Sequence, residues 1–175
     1  MTTSNLYVLT GGPCSGKSTL LDYFKIQGYG TLPETAREVI SERMQNTLTR
    51  EEIRTRQEII FVRQLERESL LRDYDSFFLD RSLIDGIAYT KLGLGSSISL
   101  FESVDLRHRY KSVFLLDLFP FEKDSVRTED NEEEARVAHE YIRMAYTDLG
   151  YTPIEVPVGS VQERAAFILC KMRCS

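Results

Sequence analysis

The chain has no tryptophan, only three cysteines and five prolines in 175 residues, and no apolar run of membrane-spanning length. Each shortage excludes something. Cys14, Cys170 and Cys174 form an odd set without paired metal spacing, so neither a disulfide framework nor a structural zinc site is expected. Basic charge is short too. The net charge is −5, and the arginines between positions 37 and 81 alternate with acids, which excludes a general nucleic-acid or membrane-surface binder. Residues 1–5 carry no basic leader, so reduced thiols and a cytoplasmic location are the expectation. There are no repeats or low-complexity tracts. The length and the 42% apolar fraction suit one domain over residues 1–175.

What is present concentrates near the start. Gly11 and Gly16-Lys17-Ser18 fit the phosphate-cradling pattern G-x-x-x-x-G-K-[ST]. An apolar run, Leu6–Thr10, leads in as a buried strand should. A helical run, Lys17 to Gln27, leads out, with Gly28 placed to end it. Free N–H groups at a helix start and the positive end of its dipole suit a polyphosphate. Gly11, Gly12, Pro13, Cys14, Ser15, Gly16, Lys17, Ser18 and Thr19 are therefore the candidate nucleotide-binding residues. Pro13 has no N–H, so the cradle must come from the amides of Ser15 to Thr19. Lys17 is expected on the outer phosphates and the Ser18 hydroxyl on Mg²⁺.

Strand and helix patterns then alternate. Tyr29–Pro33 is a weak strand and Glu34–Ile40 turns helical. Thr49 and Glu52 make a capping box for a helix to about Asp73. Ser76–Asp80 is a buried strand, followed by a helix to about Lys91. A further helix is expected over Ile98–Tyr110, and Val113–Asp117 is another buried strand. A polar segment of about residues 119–131 reads as a lid. Asn131 opens a helix whose inward residues include Ala138, Tyr141 and Ile142. Tyr151–Val158 is a proline-bearing strand, and the closing helix runs from Ser160 to about Met172. The pattern predicts an α/β fold of three layers: a parallel five-stranded sheet with helices on both faces. The apolar strands belong in the centre and the proline-bearing ones at the edges, giving the order 2-3-1-4-5.

Ligands of such sheets bind at the carboxyl ends of the strands. Asp80, ending an apolar strand, is the candidate second acid of the Mg²⁺ shell, and Asp117 is its competitor. Arg81 offers a fork to an acceptor. Glu34 can take or hold an acceptor hydroxyl, or complement a helix dipole. Arg37 can pair with Glu34 or bind substrate. Arg127, in the expected lid, is the candidate arginine for the γ-phosphate, and Arg136 the second choice. Gln57 and Gln64 lie beside an apolar stripe, either satisfying backbone or facing a pocket. His108 and His139 read as surface or boundary residues.

The run Leu9–Thr19 resembles the opening of the AAA-type predicted ATPases. These are P-loop domains related to the ribosylnicotinamide kinase part of the bacterial NAD regulator and to thymidylate and deoxynucleoside kinases. Pro33–Arg37, Leu79–Tyr89, Asp124–Thr128, Gly150-Tyr151, Val156-Pro157 and Glu163-Arg164 match further, in order along the chain. The resemblance implies a nucleoside-monophosphate-kinase-like P-loop fold, ATP or GTP with Mg²⁺, and a lid around Arg127. It puts Glu34 and Asp80-Arg81 toward the acceptor or the metal. Asp85 also matches, with capping or packing as its only evident role. Cys14 stands where many relatives have glycine. Catalysis is expected from Lys17, Asp80, Glu34 and Arg127, with a small-molecule acceptor held by Glu34, Arg37 and Arg81. The expected function is a kinase that moves the γ-phosphoryl of ATP to a small hydroxylated, nucleoside-like metabolite; an NTP-hydrolysing switch and a nucleotide-sensing module are the alternatives.

Overall fold

The computed structural model describes residues 5–42, 49–71, 76–120 and 131–173. Five strands, β1 (Asn5–Thr10), β2 (Gly30–Leu32), β3 (Ser76–Asp80), β4 (Ser112–Leu116) and β5 (Ile154–Val156), pair in parallel in the order β2-β3-β1-β4-β5. The apolar strands β1, β3 and β4 are central and buried on both faces, as their sequences require. The short strands β2 and β5, flanked by Pro33, Pro153 and Pro157, are the edges.

Helices cover both faces. On one side, α1 (Lys17–Ile26) and α6 (Val161–Met172) bury Leu20, Leu21, Phe24, Ala165 and Ile168. Phe24 stacks on Phe78 with ring centroids 3.8 Å apart. On the other side lie α3 (Arg50–Ser69), α4 (Leu83–Leu94) and α5 (Glu132–Asp148), burying Phe61, Leu83, Ile84, Ala88, Ile142 and Tyr146. Short α2 (Thr35–Glu42) leaves the edge strand β2 and reaches α3 through Arg67–Glu38 and Arg63–Glu42 ion pairs. The expected Thr49/Glu52 capping box forms, and Ser82/Asp85 and Ser160/Glu163 cap α4 and α6 in the same way.

Three expectations are corrected. Residues 98–110 are not a helix: only Ser99–Ser103 form a 3₁₀ turn. Ile98, Phe101, Leu106 and Tyr110 are all buried, but the chain leaves helical geometry after Ser103 and His108 sits at φ 61° in a turn. Second, α4 runs through Gly93 and Leu94 and stops at Gly95, whose φ of 71° needs no Cβ. Third, on α5 Tyr141 points outward and His139 inward, beside Ala135, Ala138 and Ile142.

Candidate active site

Thr10 ends β1 and the chain turns over Gly11 at φ 134°. A Cβ there would lie 2.6 Å from the Leu116 carbonyl oxygen, and one on Gly12 would lie 2.7 Å from that of Ala135. The loop therefore sits directly against β4 and α5. Other groups pin it. Phe119 N–H donates to the Cys14 oxygen (2.8 Å), and Gly12 N–H donates to Nδ1 of His139 (3.2 Å). Arg164 on α6 donates to the Ser15 oxygen (2.7 Å) and lies 5.2 Å over the Phe119 ring. Cys14 takes φ 58°, the left-handed region glycine occupies without strain. The Lys17 ammonium is buried and donates to the carbonyls of Gly11 (3.0 Å) and Gly12 (2.8 Å) and to Ser15 Oγ (2.9 Å). Burial and the nearby Arg81 charge lower its pKa to about 8, against the pull of Asp80 and Glu34.

Asp80 ends β3 beside the loop. Ser18 Oγ donates to its Oδ2 (2.9 Å), whereas its Oδ1 is buried without a hydrogen-bond partner. Burial, then Glu34, raise the Asp80 pKa to about 6. A buried carboxylate oxygen with nothing to bind, next to a serine hydroxyl, is the donor set a hard cation takes. No cluster of three or more His, Cys, Asp or Glu that could hold a metal occurs among the described residues, so phosphate oxygens and water would complete such a shell. Asp117 lies elsewhere, past β4, and lines a smaller hollow with Phe119, Arg136 and His139.

Arg81 follows at φ 68°, a strained position for a non-glycine residue. Its Nε donates to Glu34 Oε1 (2.8 Å). One terminal nitrogen reaches the Gly11 oxygen and Asp85 Oδ1 (3.3 Å each), and the other reaches Tyr89 Oη (3.1 Å). The fork expected for an acceptor is thus mostly engaged within the protein, and it ties the ends of β2 and β3 to the loop. Burial alone would raise the Glu34 pKa, but Arg81, Lys17 and Arg37 outweigh it and hold the carboxyl ionised, below its usual value. Arg37 is exposed and lines the cleft mouth.

Asp85 does more than cap. It accepts from Thr10 Oγ1 (2.5 Å), Tyr146 Oη (2.6 Å), the Ser82 N–H (2.8 Å) and Arg81. It is the buried junction of β1, α4 and α5. The two glutamines divide: Gln64 accepts from Thr35 Oγ1 (2.5 Å) and donates to Glu68 (2.9 Å), whereas Gln57 makes no hydrogen bond within the described residues and lines the cleft. The cleft itself holds about 790 Å³ between the phosphate loop, α2, α3 and α4. Arg127 and most of the expected lid lie outside the described residues. His139 and Arg164, with no role expected in the loop, share spacing with the apolar residues around them. That spacing was the available signal: Ala135, Ala138, Ile142 for one and Val161, Ala165, Ile168 for the other.

The sheet order and the strand–loop–helix make this a P-loop NTPase fold with a nucleoside-monophosphate-kinase-like layout. The chain belongs to the AAA_28 family, described as AAA domain, whose profile matches residues 6–164. Among solved structures it is similar to NadR protein in complex with NR at 17% identity and TM-score 0.72, covering 96% of this chain and 50% of that one. Deoxyadenosine kinase from M. mycoides with bound dATP matches at 14% identity and TM-score 0.64 over 96% and 99% of the two chains. Thymidylate kinase from Candida albicans matches at 16% identity and TM-score 0.64 over 98% and 92%. A sequence comparison with curated proteins finds no match.

Proposed function

We propose that the chain is a kinase that moves the γ-phosphoryl group of ATP to a hydroxyl of a small, nucleoside-like metabolite. The observation that carries this reading is the continuity of one cleft. It runs from the phosphate loop past Glu34 and Arg81 to a wall of Ile53, Gln57, Ile60 and Tyr89. Hydrolysis needs only a water site, whereas about 790 Å³ is ligand-sized. The similarity to solved kinases supports the reading.

In this reading the amides after Pro13 bind the phosphates, and Lys17 leaves its loop carbonyls for the outer ones. Ser18 and Asp80 would hold Mg²⁺, which supplies charge neutralisation on the phosphate oxygens. The acceptor oxygen forms a bond to the γ-phosphorus while the bond from that phosphorus to the β–γ bridging oxygen breaks. The hydroxyl proton passes to Glu34, and ADP leaves. Glu34 stays ionised because of Arg81, Lys17 and Arg37, so it is ready to accept without prior deprotonation. Its low basicity suits a loose transition state, in which the nucleophile needs orienting more than activating.

The test is ADP formation with Mg·ATP across a panel of nucleosides and other hydroxylated metabolites. At least one acceptor should raise the rate well above the water background, with the phosphorylated product found by mass. A rate indifferent to every acceptor would assign the protein to NTP hydrolysis instead.

A further inference from the structure

Arg63, Arg67, Arg81, Arg109 and Arg143 each meet a carboxylate. Arg56 meets none among the described residues. Its Nε is buried with no hydrogen-bond partner, and burial alone holds its basicity below the usual arginine value, with no acid offsetting it. It lies on the cleft wall of α3, between Ile53 and Ile60 and next to Gln57. The residue as a whole is half-buried, and a guanidinium nitrogen shut from water without a partner costs the folded chain stability. At the opposite end of the same cleft the carboxylates Glu34, Asp85 and nearby Asp80 are matched by Arg81 and Lys17. Arg56 is thus the cleft-wall cation with no carboxylate to meet among the described residues. Arg37 adds a second cation at the mouth, while Glu133 and Glu134 lie among its other lining residues.

We propose that the acceptor is two-ended: a hydroxyl that reaches Glu34 and an anionic group, carboxylate or phosphate, that seats on Arg56. An anion here supplies the partner that the fold withholds. It also orients the molecule, because the phosphates of the bound nucleotide occupy the other end and repel the same group. Gln57, one residue along α3, offers an amide to the body of the ligand, and Ile53, Ile60 and Leu92 pack its apolar part. The assignment rests on the kinase reading above.

The experiment uses the full chain with Mg²⁺ and a non-hydrolysable ATP analogue, so that the phosphate loop is occupied. Orotate against uracil, benzoate against benzamide, and phenyl phosphate against phenol are titrated by ligand-observed NMR. The first two pairs test a carboxylate source and the third a phosphate. At least one anion should bind about tenfold or more tightly than its neutral partner, and Arg56→Gln should erase that preference while Arg56→Lys keeps part of it. The assignment is overturned if no pair shows a preference, if no anion binds by about 10 mM, or if the preference survives Arg56→Gln. Arg56→Met should melt at or above the wild-type temperature; a clearly lower one would reveal a partner in the folded chain and also overturn it.

Activity separates the two readings. Orotidine against uridine, and pantothenate against panthenol, are compared as acceptors within the wider panel. If the anionic members react, Arg56→Gln should raise their KM about tenfold with kcat nearly unchanged. Neutral members that react as well as their anionic counterparts would sink the anion seat and leave the kinase standing. ADP formation indifferent to every acceptor, charged or neutral, would instead sink the kinase.

Discussion

The two ends of the cleft are built on opposite plans. The end proposed to take phosphates is one stretch of nine residues, Gly11 to Thr19, whose backbone would carry the recognition. Everything around it serves to hold that backbone: Leu116 and Ala135 at contact distance, and Arg164, Phe119 and His139 by hydrogen bonds. The proposed acceptor end is made of side chains delivered one at a time: Glu34 after β2, Arg81 after β3, Arg56 and Gln57 from α3, and Tyr89 from α4. A phosphate presents the same charged oxygens in every nucleotide, so peptide N–H groups at a helix start suffice. A particular small molecule presents its own outline, and only side chains from several directions can match it.

Four substitutions test how far that contrast holds, in order of expected effect. Lys17→Ala should lower phosphoryl transfer about a thousandfold while leaving the melting temperature near wild type, since the ammonium bonds only its own loop. Steady-state ADP release checks it, and a near-normal rate would break the assignment of that end.

Asp80→Asn comes next, with a loss of about a hundredfold in Mg²⁺-dependent turnover. Its pH behaviour is more telling. A carboxyl with a pKa near 6 is largely neutral below that pH, so Mg²⁺-dependent nucleotide binding should rise as pH climbs through about 6 and then level off. Asp80→Asn should remove the rise. Stability moves the other way. The folded chain binds more protons than the unfolded one between 3.8 and about 6, so Asp80 makes stability fall as pH rises through that window. Lys17 is lowered from 10.5 to about 8, so the unfolded chain binds more protons there and stability should rise with pH across that range. Melting curves of wild type, Asp80→Asn and Lys17→Met separate the two slopes.

Gln57→Leu tests the acceptor end alone. It should raise the acceptor KM several-fold with ATP affinity unchanged; a change in ATP affinity would mean that the two ends are not separable. Smallest is Cys14→Gly. Relief at φ 58° opposes the added chain entropy of glycine, so stability should shift by no more than about 1 kcal/mol, with nucleotide binding intact. Isothermal denaturation reads it, and a larger loss would show that the thiol itself packs the loop.

The same contrast decided what could be read in advance. The sheet order was legible because burial on both faces leaves its mark on three strands and proline leaves its mark on the edges. Caps at Thr49 and Asn131 were legible because they are local. The buried polar residues were not. Asp85 read as a cap because its sequence neighbours say only that; Thr10 and Tyr146, which make it a junction, are 75 and 61 residues away. Arg81 read as a free fork because nothing nearby in sequence reveals that Glu34, Gly11 and Tyr89 engage it. The segment at 98–110 read as a helix because its apolar residues are spaced so that one face could bury them, yet only Ser99–Ser103 coil, as a 3₁₀ turn, and the same residues reach the core from a turning chain.

The sequence by itself determined the fold, the phosphate loop and the set of charged residues at the strand ends, because each is written in local periodicity or in one contiguous motif. Only the tertiary structure decided which of those charges are engaged. It placed Ser18 and Glu34 within reach of Asp80, locked Arg81 into the protein, and left Arg56 half-buried on the cleft wall with its Nε unpaired. The physical reason is that a charge's pKa, partner and availability depend on burial and on neighbours far along the chain, and these exist only once the layers have packed.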